Sequence, residues 1–181
     1  TSALINLGGE MHLLSLIQDI TGRKQAEEEL RKLSQAVEQS PVSVVITNIH
    51  GEIEYTNPKF TEITGYSKEE AIGQSPRILK SVKTPDEKNT QLWQTISSGK
   101  EWFGEFQNKK KNGELYWEMV SISPIIDSAG NITHFLVIKE DITERKHHER
   151  ILLDSERKYR IVADNTYDWE FWSDTDGKYI Y

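Results

Sequence analysis

The chain has no cysteine. That absence excludes disulfides, thiolate metal sites and cysteine nucleophiles together, and it accords with a reducing cytoplasm, the expected location. No apolar run approaches the roughly 18 residues of a membrane span and no signal peptide opens the chain, so no membrane partner is expected within this segment. Basic residues are few: 22 Lys and Arg stand against 29 Asp and Glu, for a net charge of −7, and the one basic cluster is Lys109, Lys110 and Lys111. Neutralising a polyanion takes a concentrated basic surface, so nucleic acid is not an expected partner. An enzyme would need a nucleophile beside a base, or a metal cluster, and neither is found, so the chain itself is not read as an enzyme. The opening at Thr1 rather than Met is read as the start of an excerpt from something longer.

What the chain does have is a repeat. "DITGRKQAEEEL" begins at Asp19 and "DITERKHHER" at Asp141, 122 residues later. Upstream, "HLLSLIQDIT" from His12 aligns without a gap on "HFLVIKEDIT" from His134. Downstream, "TNIHGEIEY" ending at Tyr55 aligns on "SDTDGKYIY" ending at Tyr181, now 126 residues apart. Self-similarity at a fixed period is the mark of an array. The four extra residues amount to about one helical turn, which keeps the next unit on the same helix face. The expected organisation is therefore the last strands of one unit over 1–20, a linker helix over 21–40, a complete unit over 41–141, a second linker helix over 142–166, and the first strands of a third unit over 167–181. In the first linker Ala26, Leu30, Leu33 and Val37 step by 4, 3 and 4, the seam spacing of two paired helices; the alternative is a helix packed on its own domain. In the second, Asp141 and Glu144 have the spacing of a capping box, and Leu152, Tyr159 and Val162 continue a weaker seam.

Within the complete unit, "SVVITNIHGEIEYTN" predicts two strands around a tight turn at His50 and Gly51. Asn57 and Ser67 are capping residues for two short helices, Ser67 with Glu70 three positions on. "TPDEKNTQLWQTISSG" predicts a longer helix capped by Thr84, with Pro85 in its first turn and Gly99 as its stop. A hairpin turning at Asn112 and Gly113 and a last strand, "ITHFLVIKEDI", complete five strands with helices grouped in the middle. The fold class is α+β, with helices on one face of an antiparallel sheet.

The order of elements, with "NPKFTEITGYSKEEAIGQ", "GQSPRILKS", "WFGEFQNKKKNGELYWE" and the closing "DITERK", closely resembles the PAS domains of prokaryotic multi-domain sensor proteins. The flanks at 1–20 and 167–181 resemble pieces of two more. The resemblance implies a five-stranded antiparallel sheet that holds a ligand, or nothing, against its helices. It also implies helical linkers that carry a signal to an output domain, a sensor histidine kinase before a diguanylate cyclase.

In light-sensing LOV domains, a PAS subfamily, a cysteine bonds covalently to flavin; Pro76 in "GQSPRILK" stands at the matching position, so the photoadduct is excluded. The long helix carries no histidine for the haem of oxygen-sensing relatives, although His50 and His134 remain as unorthodox ligands. "RILKS" with Trp102, Gly104, Glu105 and Asn108 resembles the redox-sensing flavin PAS domains, and Asn108 matches an asparagine that hydrogen-bonds the flavin ring. Against this, Glu118 and Lys139 replace an asparagine and a glutamine and bring charge into the pocket. By strand parity Trp102, Phe106 and Asn108 share the inner face, as by resemblance do Tyr116, Glu118 and Val120, and Phe135, Val137 and Lys139. Trp102, Phe106, Asn108, Tyr116, Glu118 and Lys139 are thus the candidate pocket. Its occupant is unknown: no cofactor with an internal Glu118 and Lys139 pair, a non-covalent flavin (FAD or FMN) as the leading cofactor, or another small molecule.

Trp117, Met119, Ser121, Leu136 and Ile138 face the other way and are mostly apolar, so a cover is expected there: the preceding helix, a neighbouring PAS domain or a second copy. The favoured arrangement is a homodimer through the linker helix and this face. "HHER" at His147 to Arg150 is superficially similar to a kinase phosphoacceptor helix, but no proline-containing continuation follows and the segment holds the linker role. The resemblance instead assigns signal relay to the junctions, Asp141 and Thr143 for the complete unit and Asp19 and Thr21 for the one before; the alternative is a plain helix cap.

Overall fold

The computed structural model describes residues 2–8, 10–15, 19–81, 86–165 and 173–179. The chain divides into two compact units, residues 1–40 and 41–181. In the first, β1 (Ser2–Leu7) and β2 (Glu10–Ser15) form an antiparallel hairpin, followed by α1 (Thr21–Glu38). Leu30 and Leu33, two residues of the seam, are 67% and 61% exposed on α1.

The second unit holds β3 (Ser43–Asn48), β4 (Ile53–Thr56), α2 (Pro58–Thr64), α3 (Lys68–Ala71), a 3-10 turn at Pro76–Leu79, and α4 (Asp86–Ser97). Then come β5 (Trp102–Lys109), β6 (Leu115–Ile126), β7 (Ile132–Asp141) and α5 (Thr143–Asn165). The five strands make one antiparallel sheet in the order β4, β3, β7, β6, β5. Joining β4 at one edge to β5 at the other requires the chain to cross the sheet, and the helical segment between them makes that crossing over one face. Leu79, Leu92 and Ile96 from that segment pack with Val45, Val120, Ile122, Phe135 and Val137 from the sheet. The α+β class and helical layer match the expectation.

Local chemistry places the helices. Asn57 caps α2 by accepting the N–H of Phe60 at 3.2 Å, and the same Oδ1 accepts the N–H of Val44 at 2.9 Å while Nδ2 donates to the carbonyl of Val42. One buried amide thus starts a helix and pins it to β3. Ser67 and Glu70 close a reciprocal capping box on α3. Thr84 and Pro85, expected to start α4, lie outside the described residues; its stop at Gly99 has φ 80°, the left-handed conformation that favours glycine.

The repeat has a structural echo. In the β3 to β4 turn, Asn48 Oδ1 accepts the N–H groups of His50 and Glu52, and Gly51 adopts φ 80°. Asp174 Oδ1 accepts the N–H groups of Asp176 and Lys178, and Gly177 has φ 76°. These are the same bonds at aligned positions. Ser173 and Tyr179 bridge around that second turn, while 166–172 and 180–181 lie outside the described residues.

Candidate functional site

Strand β6 lies between β5 and β7, with Phe106 opposite Glu118 and Val120 opposite Lys139. Alternation turns Tyr116, Glu118, Val120 and Ile122 toward the helices, where all four are buried. Lys139 is two residues out of register with Glu118, a diagonal that a long side chain spans. Its Nζ lies 2.9 Å from Glu118 Oε1. Asn108 Nδ2 donates to the same oxygen at 2.7 Å, and the Tyr116 hydroxyl donates to Oε2 at 2.8 Å.

Glu118 is 2% exposed and Lys139 5%. A lone charge at that depth costs several kcal/mol, which the opposite charge and two neutral donors offset here. Burial, and then the negative charge of Glu118, push the Tyr116 hydroxyl far above the usual phenol range. It is therefore a fixed donor at physiological pH.

This network forms one wall of a cavity of about 120 Å³ between sheet and helices. Phe106, Asn108, Glu118 and Lys139 line it, as do Val120, Phe135 and Val137. Trp102 and Tyr116 sit behind it: Trp102 stacks on Phe106 with ring centroids 5.3 Å apart, and Tyr116 is spent on Glu118. Pro76 stands at the wall with exposed Arg77. Ser81 Oγ bonds the carbonyl of Gln107 and Lys80 bridges Asn108, so this segment is fastened along edge strand β5. The sequence reading did not single out Asn89, Leu92 and Trp93 of α4, which also line the cavity. Asn89, Trp93 and Ile96 step by 4 and 3, a helical stripe that was available as a signal.

At the far end of β7 the backbone of Trp117 is held at both poles. Its N–H donates to Thr143 Oγ1 at 2.9 Å, and its carbonyl accepts the N–H of buried Ile142 at 2.9 Å. Asp141 Oδ1 accepts the N–H of Thr143 at 2.9 Å, a bond two residues on rather than the box with Glu144 that the spacing suggested. Asp19 makes the equivalent bond to Thr21 at 2.8 Å, and its bonds with Thr21 hold the Asp19 carboxyl below the usual range. Glu105 on β5 receives Lys146 Nζ at 2.7 Å and Arg145 at 3.3 Å, a second tie between sheet and helix. The bond with Glu105 raises the Lys146 ammonium above its ordinary value.

On the opposite face Trp117, Met119, Ser121 and Leu136 are half-buried, and Ile138 is 37% exposed. Among the described residues no helix is long and apolar enough to cross a membrane.

Residues 41–144, more than half of the chain, match the sequence family described as the PAS domain. The chain is 30% identical over 160 residues to the nitrogen fixation regulatory protein of Klebsiella oxytoca, covering 78% of this chain and 32% of that protein. It is 31% identical over 126 residues to the blue-light-activated histidine kinase of Brucella ovis, covering 68% of this chain and 26% of the kinase. A solved LOV domain from the blue-light activated histidine kinase of Erythrobacter litoralis superposes with TM-score 0.54 at 26% identity, covering 58% of this chain and 99% of that domain. The chain thus spans about a third or less of these two curated relatives. The element order, the pocket between sheet and helices and the matched residues agree: the chain belongs to the PAS domain family of sensory modules.

Proposed function

We propose that the chain is a signal-relay piece of a PAS array, in which the state of the 41–141 pocket passes through Asp141 to Thr143 into α5. One observation carries this reading: Glu118 anchors the pocket network, and its neighbour Trp117 is the residue whose backbone the junction grips. A shift of β6 that rearranges the pocket moves the helix start with it. The repeated turn and the repeated junction bond support reading 1–20 and 167–181 as parts of neighbouring PAS domains. The name of the Brucella ovis relative supports an output of the sensor histidine kinase type in the parent; the cytoplasmic location, and a diguanylate cyclase as the lesser choice, remain part of this reading. The exposed leucines of α1 and the apolar outer face support a homodimer.

A second reading has the pocket hold FAD or FMN without a covalent bond, favoured by the Asn108 amide in the cavity wall. A visible absorption spectrum of the freshly purified chain tests this second reading, because a bound flavin makes the chain yellow. For the relay itself, Asp141→Ala and Thr143→Val in the full-length parent should uncouple input from output while the domain stays folded. Unchanged regulation in both variants rejects the junction as the relay.

A further inference from the structure

The polar wall of the cavity has more donors than acceptors. Both oxygens of Glu118 are occupied, Oε1 by Asn108 and Lys139 and Oε2 by Tyr116. Lys139 commits one of its three N–H donors to Glu118, and no second partner for it is found among the described residues. Asn89 Nδ2, in the cavity wall, is buried with no hydrogen-bond partner among the described residues. Buried donors call for an acceptor, and the described residues supply none here.

The remaining wall is apolar, with Leu92, Ile96, Ile122 and Val137 prominent. At about 120 Å³ the cavity is near the size of the engineered, roughly 150 Å³ protein cavity that holds benzene. Its charges also favour one sign. Glu118 and Lys139 cancel, Glu118 is the only acidic residue of the lining among the described residues, and Arg77 adds positive charge beside it.

From these three properties, and resting on the reading of this cavity as the sensory pocket, we infer that it takes a small monocarboxylate. Its body is a single ring or a short branched chain. The carboxylate accepts from Lys139 and Asn89, and the body fills the apolar part. A flavin held here through the Asn108 amide would have to displace the bond from Asn108 to Glu118, whereas a small carboxylate leaves that bond in place.

The test uses the whole 181-residue chain. It is titrated with sodium benzoate, isovalerate, acetate and the neutral isostere benzamide, followed by calorimetry and by tryptophan fluorescence, since Trp93 lines the site. Benzoate or isovalerate should bind once per chain, at least about tenfold tighter than benzamide, and acetate should be weaker still. Asn89→Leu should weaken the carboxylate about tenfold. The double variant Lys139→Met with Glu118→Gln leaves no unpaired buried charge, and in it the preference for benzoate over benzamide should vanish.

Equal binding of benzoate and benzamide by the wild-type chain overturns the carboxylate assignment but leaves a ligand pocket. A flavin spectrum does the same and names the occupant. Binding that survives both variants unchanged places the ligand elsewhere and overturns the site. A colourless chain that binds none of the four probes overturns the carboxylate assignment; the relay is then judged separately by the junction variants.

Discussion

Thr143 Oγ1 accepts the N–H of Trp117 at 2.9 Å, across 26 residues of sequence and one residue from the buried Glu118. The first residue of the outgoing helix is therefore bonded to the strand that carries the pocket, and through its backbone, which cannot rotate away as a surface side chain can. Asp141 then fixes the geometry of Thr143 by accepting its N–H.

Thr143→Val keeps the shape and removes the acceptor, leaving the part-buried Trp117 N–H without its partner. The expected cost is about 1–2 kcal/mol in urea unfolding, and Thr143→Ser should recover most of it. A Thr143→Val chain as stable as the wild type, with the cost falling on Thr143→Ser instead, would mean that the methyl group, not the hydroxyl, matters.

Lys139→Met should be far more damaging than Lys139→Met combined with Glu118→Gln. Alone it strands a carboxylate that is 2% exposed, at a cost of about 3–5 kcal/mol, whereas the pair removes both charges and should restore most of the stability. Additive effects of the two substitutions would show that the charges do not interact.

Much of this wall was legible in the sequence because parity along a strand is rigid: once Asn108 faces inward, so does Phe106. Depth was not legible. Trp102 and Tyr116 share the inner face, yet they lie behind the cavity, because the stacking on Phe106 and the bond to Glu118 decide which inward side chain reaches open space. The caps at Asn57 and Ser67 were readable as local chemistry, but the reach of Asn57 to Val44 was not, since it depends on a strand 13 residues away. The ties of Glu105 to Arg145 and Lys146 were hidden for the same reason: 40 residues separate Glu105 from Arg145.

The ion pair between Glu70 and Lys111 joins α3 to the β5 to β6 turn, and the bond to Lys111 holds the Glu70 carboxyl below its ordinary 4.5. A lowered folded-state value stabilises above the unfolded pKa and loses that contribution as pH falls through the folded one. The urea midpoint of the wild type should therefore drop more between pH 5 and pH 3 than that of Glu70→Gln, with the drop centred below about 4.5. Parallel pH profiles for the two chains would show that the pair does not contribute.

Gly104 leaves room for the Trp102 ring, which lies where its Cβ would stand. Gly104→Ala should push that ring off Phe106 and destabilise the domain by about 1–3 kcal/mol, with loss of the near-ultraviolet circular dichroism of the stacked pair. An unchanged spectrum and midpoint would show that the strand yields instead.

Communication between pocket and helix through Thr143 leaves its mark in the amide hydrogen exchange of the first turns of α5. Exchange is compared for the wild type, for Lys139→Met with Glu118→Gln, for Thr143→Val, and for all three substitutions together. The pocket substitutions should change α5 protection when Thr143 is present and leave it unchanged once Thr143→Val has been introduced. The same change in both backgrounds, or none in either, would rule out Thr143 as the link between pocket and helix.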